Sequence, residues 1–133
     1  MILDTDVLSR LVSPAFPNRL VKCLEQAPQP LCTTAINLAE IEYGIAKHSS
    51  PERLRRQYEE RVWPWLEVLP FDRESAECYG MLRAHLEQSG MPLAEADLMI
   101  ASIALRNDMP LVSGNVRHFS RIPGLALENW LEP

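Results

Sequence analysis

The sequence has few cysteines and no long apolar stretch, and each shortage excludes a class of protein. The three cysteines, Cys23, Cys32 and Cys78, lie far apart and are odd in number, which fits neither a disulfide framework nor a zinc site. We interpret them as reduced, mostly buried thiols of a cytoplasmic protein. No apolar run approaches the roughly 18 residues that span a bilayer, and no pattern predicts a signal peptide or a membrane contact.

Lysine is also scarce. The 133 residues include 18 acidic and 13 basic side chains, which gives a net charge of −5, and two of the basic residues are lysines. Proteins that coat duplex DNA are usually basic, so this balance disfavours non-specific coating of nucleic acid. The same balance is compatible with an enzyme that cuts nucleic acid, because such an enzyme collects acids at a metal site.

Several familiar catalytic signatures are missing as well. The chain contains no GxSxG nucleophile motif, no phosphate-binding loop and no closely spaced His/Cys pair. It also contains no internal repeat and no linker-like segment, so its length predicts one domain over residues 1–133. The function must therefore be sought in the acidic residues.

Short apolar segments alternate with helical patterns along the whole chain. The predicted strands cover residues 1–5, 31–33, 66–71, 110–113 and 125–130. Helices are predicted at 6–12, 17–26, 36–48, 51–63, 74–90 and 93–107, the third with Ile36, Ala39, Tyr43 and Ala46 on its apolar face. This alternation predicts an α/β fold, with helices on both faces of a mostly parallel sheet of about five strands. In such sheets functional residues gather at the carboxyl ends of the strands.

Two aspartates follow the first predicted strand. Asp4 still belongs to the apolar run, whereas Asp6 lies just beyond it. A helix cap or turn is one interpretation of Asp6, and a functional charge is the other. For Asp4 the cap interpretation is weaker, so we take Asp4 as a candidate site residue.

Two further acids lie in apolar helical surroundings. Glu40 is close to the apolar face of its helix, whereas Glu42 lies about 200° away around the axis. Asp97 occurs within LAEADLMIASIALRN, where a buried carboxylate is costly unless it is paired or bound to a metal. An acid in the first helical turn is the alternative there, and Glu95 fits that alternative better.

The remaining candidate is Asn115, which follows the strand PLVS and a glycine and can also be a turn residue. Together these positions offer oxygen ligands without nitrogen or sulfur. Clustered carboxylates repel one another unless a cation lies between them, and hard oxygen sites suit Mg²⁺ or Mn²⁺. The chemistry indicated is metal-assisted phosphodiester hydrolysis.

Four blocks of the sequence resemble the PIN domain, and specifically the VapC toxins of bacterial type II toxin–antitoxin pairs. The blocks are LDTDVLS at 3–9, LAEIEYG at 38–44, PLAEADLMIASIAL at 92–105 and LVSGNVRHFSRIPGLALENW at 111–130. Each block is weak by itself, but their order and spacing are specific. The resemblance implies a PIN-like three-layer α/β/α sandwich and a metal-dependent endoribonuclease.

The resemblance also implies a role for each site residue. Asp4 and Asp97 would ligate Mg²⁺ or Mn²⁺ directly, and Glu40 would act through a water molecule. Asn115 takes the family's fourth polar position as an amide, which removes one charge and disfavours a tightly held second metal. Asp6 is a further candidate ligand. His118, where many relatives have an acid, receives no catalytic role.

The same resemblance implies partners and a place of action. Water activated by the metal would attack the phosphate of an RNA in line, with initiator tRNA as the leading candidate substrate. Family members act as homodimers, are silenced by a VapB-type antitoxin and join it in larger assemblies on promoter DNA. The cytoplasm is the expected location.

Two alternatives belong to other functional classes. A PIN-like module without catalysis would bind RNA or a partner, although it would have no reason to keep Asp4, Glu40 and Asp97 together. A haloacid-dehalogenase-type phosphatase also has a DxD motif near its N-terminus. That class needs a lysine late in the chain, whereas Lys22 and Lys47 both lie in the first half of this one.

Overall fold

The structure, a computed structural model, describes residues 1–132. The strands are β1 (Ile2–Leu3), β2 (Cys32–Thr34), β3 (Glu67–Leu69), β4 (Leu111–Val112) and β5 (Leu127–Glu128). The helices are α1 (Thr5–Leu11), α2 (Asn18–Gln26), α3 (Ala35–Ala46), α4 (Pro51–Arg61), α5 (Arg73–Gln88), α6 (Glu95–Arg106) and α7 (Val116–Phe119). A 3₁₀ turn at Trp63–Trp65 follows α4.

The five strands form one parallel sheet in the order β3-β2-β1-β4-β5. The predicted fold class is therefore confirmed, and β3 lies at an edge, where Pro70 interrupts no ladder. Strand β1 lies between β2 and β4, so the order of the strands reverses at the centre of the sheet. In parallel sheets this reversal opens a crevice at the carboxyl ends of the central strands.

Helices cover both faces of the sheet because successive strand residues point to opposite sides. Ile2 packs into a core with residues of α5, α6 and α7, whereas its neighbour Leu3 packs with residues of α1, α2, α3 and α4. Both side chains are at most 1% exposed. The result is the expected arrangement of helix layer, sheet and helix layer.

The ends of several helices follow from local sequence. The Thr34 hydroxyl caps α3 by accepting from the backbone N–H of Asn37, and Pro51 occupies the first turn of α4. Gly90, with φ +70°, directly follows the C-cap residue of α5 and turns the chain out of the helix, as the sequence predicted. No helix within residues 1–132 has the length and apolarity needed to cross a membrane.

The predicted apolar face of α3 is wrong. Tyr43 is 67% exposed, and the buried positions are Asn37, Ile41 and Ile45. These three residues are spaced four apart and form a stripe against the sheet. The polar member of the stripe, Asn37, is fully buried because its amide is hydrogen-bonded at both ends. The short helix α7 was not predicted either, since four residues carry too little periodicity.

Candidate active site

Asp4 lies where two central strands end together. Because Leu3 pairs in parallel with Val112, the residues that follow, Asp4 and Ser113, meet at the same edge of the sheet. The backbone N–H of Asp4 donates to the carbonyl of Val112 at 2.9 Å. Asp4 is only 8% exposed, so its carboxylate stands within the protein at the mouth of the crevice.

The carboxylate of Asp4 is fixed by three hydrogen bonds. Its Oδ1 accepts from the backbone N–H of Thr5 at 2.9 Å and from Asn37 Nδ2 at 2.7 Å, and its Oδ2 accepts from Ser113 Oγ at 2.7 Å. Asn37 and Ser113 are both fully buried. A carboxylate oxygen has two lone pairs, so Oδ2 keeps one of them for another partner.

The bond to the Thr5 N–H makes Asp4 the N-cap of α1. The cap interpretation of Asp6 is therefore wrong, and the assignment belongs to Asp4, because α1 begins at Thr5. A carboxylate suits this place, since it satisfies a free N–H and complements the helix dipole. One side chain thus ends the strand, caps the helix and faces the crevice.

Asn37 connects Asp4 to Glu40. Its amide accepts from the Thr34 hydroxyl at 2.7 Å and donates to Thr5 Oγ1 at 3.0 Å as well as to Asp4. The Thr5 hydroxyl in turn donates to Glu40 Oε1 at 3.2 Å. The sequence reasoning missed Asn37. The available signal was a single amide on an otherwise apolar stripe of α3.

Glu40 and Asp97 approach Asp4 from two different helices. Glu40 is exposed on α3 as a whole residue. Partial burial of its carboxyl group, together with the charge of Asp4, raises the pKa of that carboxyl. Asp97 lies in the first turn of α6 with a side chain 20% exposed, and burial and the charge of Asp4 raise its pKa too. The structure therefore brings Asp4, Glu40 and Asp97 into one electrostatic cluster.

Asp6 lies beside this cluster and joins α1 to the loop after β4. Its Oδ2 accepts from the Gly114 N–H at 2.8 Å, whereas its Oδ1 is buried without a hydrogen-bond partner in residues 1–132. Burial and the charge of Asp4 raise the pKa of Asp6. A Cβ at Gly114 would lie 2.9 Å from Asp6 Oδ2, so a larger residue there would force the Asp6 carboxylate to shift.

Asn115 and His118 form the far side of the cluster. The Asn115 N–H donates to Ser113 Oγ at 3.0 Å, and Asn115 Nδ2 lies 3.1 Å from His118 Nδ1. The same ring nitrogen is 3.5 Å from Asp97 Oδ2. His118, which the sequence reasoning left without a role, thus contacts one of the predicted site acids.

The donor set fits a hard divalent cation. Within residues 1–132, no three Asp, Glu, His or Cys side chains already lie close enough to surround one ion, as expected for carboxylates that repel one another. Asp4 Oδ2 retains a free lone pair, Asp6 Oδ1 is unpartnered, and burial together with the charge of Asp4 raises the pKa of Asp6, Glu40 and Asp97. A bound cation would coordinate the free oxygen atoms and neutralise the repulsion between the carboxylates. Glu40 and Asp97 are accessible enough to turn toward it.

Comparisons with known proteins give a consistent result. The family model "PIN domain" matches residues 1–125. The chain is 37% identical over 100 residues to Ribonuclease VapC2 of Rickettsia felis, covering 75% of this chain and 74% of the relative. It is 38% identical, over 75% of each chain, to the tRNA(fMet)-specific endonuclease VapC of Salmonella typhimurium.

A solved structure extends the similarity to nearly the whole fold. The structure is that of VapBC2 from Rickettsia felis bound to a DNA fragment from the promoter. It superposes with a TM-score of 0.90 at 32% identity and covers 97% of both chains.

Proposed function

The chain belongs to the PIN-domain family and to its VapC ribonucleases, and from this premise we propose that Asp4, Glu40 and Asp97 form the catalytic centre of a Mg²⁺- or Mn²⁺-dependent endoribonuclease. The protein is an endoribonuclease toxin of a toxin–antitoxin pair. One observation carries the assignment of the site. The carboxylate that follows β1 and those on α3 and α6 converge at the carboxyl edge of the sheet, where the charge of Asp4 acts on the other two.

Asp4 and Asp97 would hold the ion, and Glu40 would reach it through a water molecule. Asp6 and Asn115 flank these residues and complete the set of oxygen donors. When bound, a divalent cation supplies water activation and stabilises charge on a phosphoryl oxygen. Asn115 contributes a neutral amide in this set, so it adds no repulsion to the four carboxylates.

The side chains of the cluster have distinct tasks. Asp4 is fixed by Asn37, Ser113 and the N-terminus of α1, so it presents Oδ2 in one orientation. Glu40 Oε1 accepts from Thr5, which leaves Oε2 to orient an attacking water or to accept its proton. The raised pKa of Glu40 favours this second task, because a more basic carboxylate takes up a proton more readily.

The partners are inferred from the family and from one surface feature. A groove of about 970 Å³ lies between α2, α4 and the loop that contains Phe16, and Trp65 at its rim is 71% exposed. Exposed apolar patches of this kind mark interaction sites. A VapB-type antitoxin that covers apolar surface fits this groove, and the toxin–antitoxin complex would bind promoter DNA through the antitoxin. A homodimer acting in the cytoplasm completes the proposal.

RNA is the proposed substrate, and initiator tRNA is the leading candidate because one relative is named for it. The second candidate function is an RNA- or partner-binding module without catalysis, in which the same acids would have no catalytic role. The family match leaves the dehalogenase-type alternative without support.

The test is cleavage of purified initiator tRNA and of bulk RNA with Mg²⁺ or Mn²⁺. We expect Asp97→Asn to reduce the rate by about a thousandfold or more, since a lost ligand forfeits several kcal/mol of metal-derived stabilisation. Glu95→Gln is the matched control, because Glu95 is exposed in the same helical turn and contacts Tyr79 instead. Full activity of Asp97→Asn, or cleavage unaffected by EDTA, contradicts the proposal. RNA binding by the wild type without cleavage supports the binding module.

A further inference from the structure

His118 brings a nitrogen donor to the edge of the acidic cluster. The residue lies in the short helix α7, and its side chain is 45% exposed. Its Nδ1 lies 3.5 Å from Asp97 Oδ2. An exposed ring that approaches a half-buried carboxylate this closely can meet any ion that the carboxylate binds.

His118 Nδ1 has two polar neighbours. Asn115 Nδ2 lies 3.1 Å from it, and Asp97 Oδ2 lies 3.5 Å from it. Both neighbours belong to the proposed cation site, so the ring is held with Nδ1 turned toward that site.

The separation of the two atoms matches two ligands of one ion. Metal–nitrogen and metal–oxygen bonds of about 2.0–2.2 Å, meeting at about 90–110°, place neighbouring ligand atoms about 2.8–3.6 Å apart. The observed 3.5 Å lies in this interval. Ligation through Nδ1 would displace the Asn115 amide, which is free to turn because Asn115 makes no side-chain cap bond to α7.

We propose that His118 is a metal ligand beside Asp97, and that the resulting nitrogen–oxygen site selects a first-row transition-metal dication over Mg²⁺. Imidazole binds transition metals well, whereas Mg²⁺ demands oxygen ligands and gives up water reluctantly. The inference rests on the proposed function, since it concerns the same cation site. It replaces the oxygen-only ligand set expected from the sequence.

The experiment measures the affinity of the purified full-length chain for Co²⁺, Mn²⁺ and Mg²⁺ by calorimetric titration. We expect His118→Gln to weaken Co²⁺ and Mn²⁺ binding by about tenfold or more and to leave Mg²⁺ binding within about twofold. His85→Gln is the matched control, because His85 is an exposed histidine on α5, and it should change none of the affinities. His118→Glu should strengthen Mg²⁺ binding and still weaken Co²⁺ binding, since it restores an oxygen donor.

A spectroscopic readout separates ligation from mere positioning of Asp97. Bound Mn²⁺ should show nitrogen modulation in its electron spin echo, and His118→Gln should abolish that modulation. Equal weakening of all three ions by His118→Gln, or a spin echo without nitrogen modulation, overturns the inference.

The proposed function is judged separately. It stands if Asp97→Asn abolishes binding of all three ions, whatever the His118 variants do, and it fails if Asp97→Asn leaves their binding intact.

Discussion

The two sides of the acidic cluster are built in different ways. The first side, formed by Asp4 with its partners Asn37 and Ser113, is almost fully buried and connected by hydrogen bonds of 2.7 to 2.9 Å. The second side, formed by Asp97 and His118, is partly exposed, and the contact between these two side chains measures 3.5 Å. The site therefore combines one rigid ligand with others that can adjust.

This difference follows from where each side begins. Asp4 continues the central strand of a parallel sheet, so its backbone is fixed by β4 and its side chain by buried donors. Asp97 lies in the first turn of a helix that has no side-chain N-cap, and His118 lies on a four-residue helix after a loop. A cation or an RNA phosphate could shift the second side at little cost, because few buried contacts would break.

Removal of each carboxylate should give the largest contrast between the two sides. We expect Asp4→Ala to lower the free energy of unfolding by about 2–4 kcal/mol, because it removes a helix cap and leaves the buried Asn37 and Ser113 donors unpaired. Asp97→Ala should change it by less than about 1 kcal/mol, because the benefit of an acid in a first helical turn is offset by the burial and the repulsion from Asp4 that raise the Asp97 pKa. Urea denaturation in EDTA measures both. Equal losses of unfolding free energy in the two variants would contradict the conclusion that the Asp4 side is rigid and the Asp97 side is adjustable.

A methyl group at Gly114 should disturb the point where the two sides meet. Gly114→Ala places a Cβ 2.9 Å from Asp6 Oδ2 and 3.1 Å from Leu131 Cδ1, and we expect a loss of about 1–3 kcal/mol in unfolding free energy. Gly80→Ala is the control, since a Cβ at this position of α5 would meet nothing within 4 Å. This substitution should raise the free energy of unfolding by about 0.5–1 kcal/mol.

The Gly114 prediction has a second check in a double-mutant cycle. Combining Gly114→Ala with Asp6→Ala removes the closest atom that the new methyl group would meet, so the double variant should lose less than the sum of the two single losses. Strict additivity would show that the Asp6–Gly114 contact does not join α1 to the loop after β4.

Neutralising Glu40 should have the smallest effect, with the opposite sign. In metal-free buffer we expect Glu40→Gln to raise Tm by about 1–2 °C, since it removes a charge that Asp4 and Asp97 repel and keeps the acceptor for Thr5. Glu42→Gln, on the same helix, should give no rise because it breaks a 2.9 Å ion pair with Arg55. A lower Tm for Glu40→Gln would argue against repulsion in the cluster.

The sequence predicted the fold well because secondary structure depends on local signals. Alternating apolar strands and helices specified a parallel sheet, and the comparisons confirm the family resemblance. The apolar face of α3 was wrong because a buried, hydrogen-bonded Asn37 cannot be told from an exposed one by hydropathy. The roles of Asp4, Glu40 and Asp97 in catalysis stay predictions.

What the sequence alone determined is which side chains could do chemistry and at which strand and helix ends they lie. What only the tertiary structure decided is which atoms meet. The parallel register of β1 and β4 joins Asp4 to Ser113, across 109 positions of the chain, and the packing of α7 beside α6 brings His118 to Asp97. Such contacts depend on strand register and helix phase, which are fixed by packing of the whole core rather than by any short stretch of sequence.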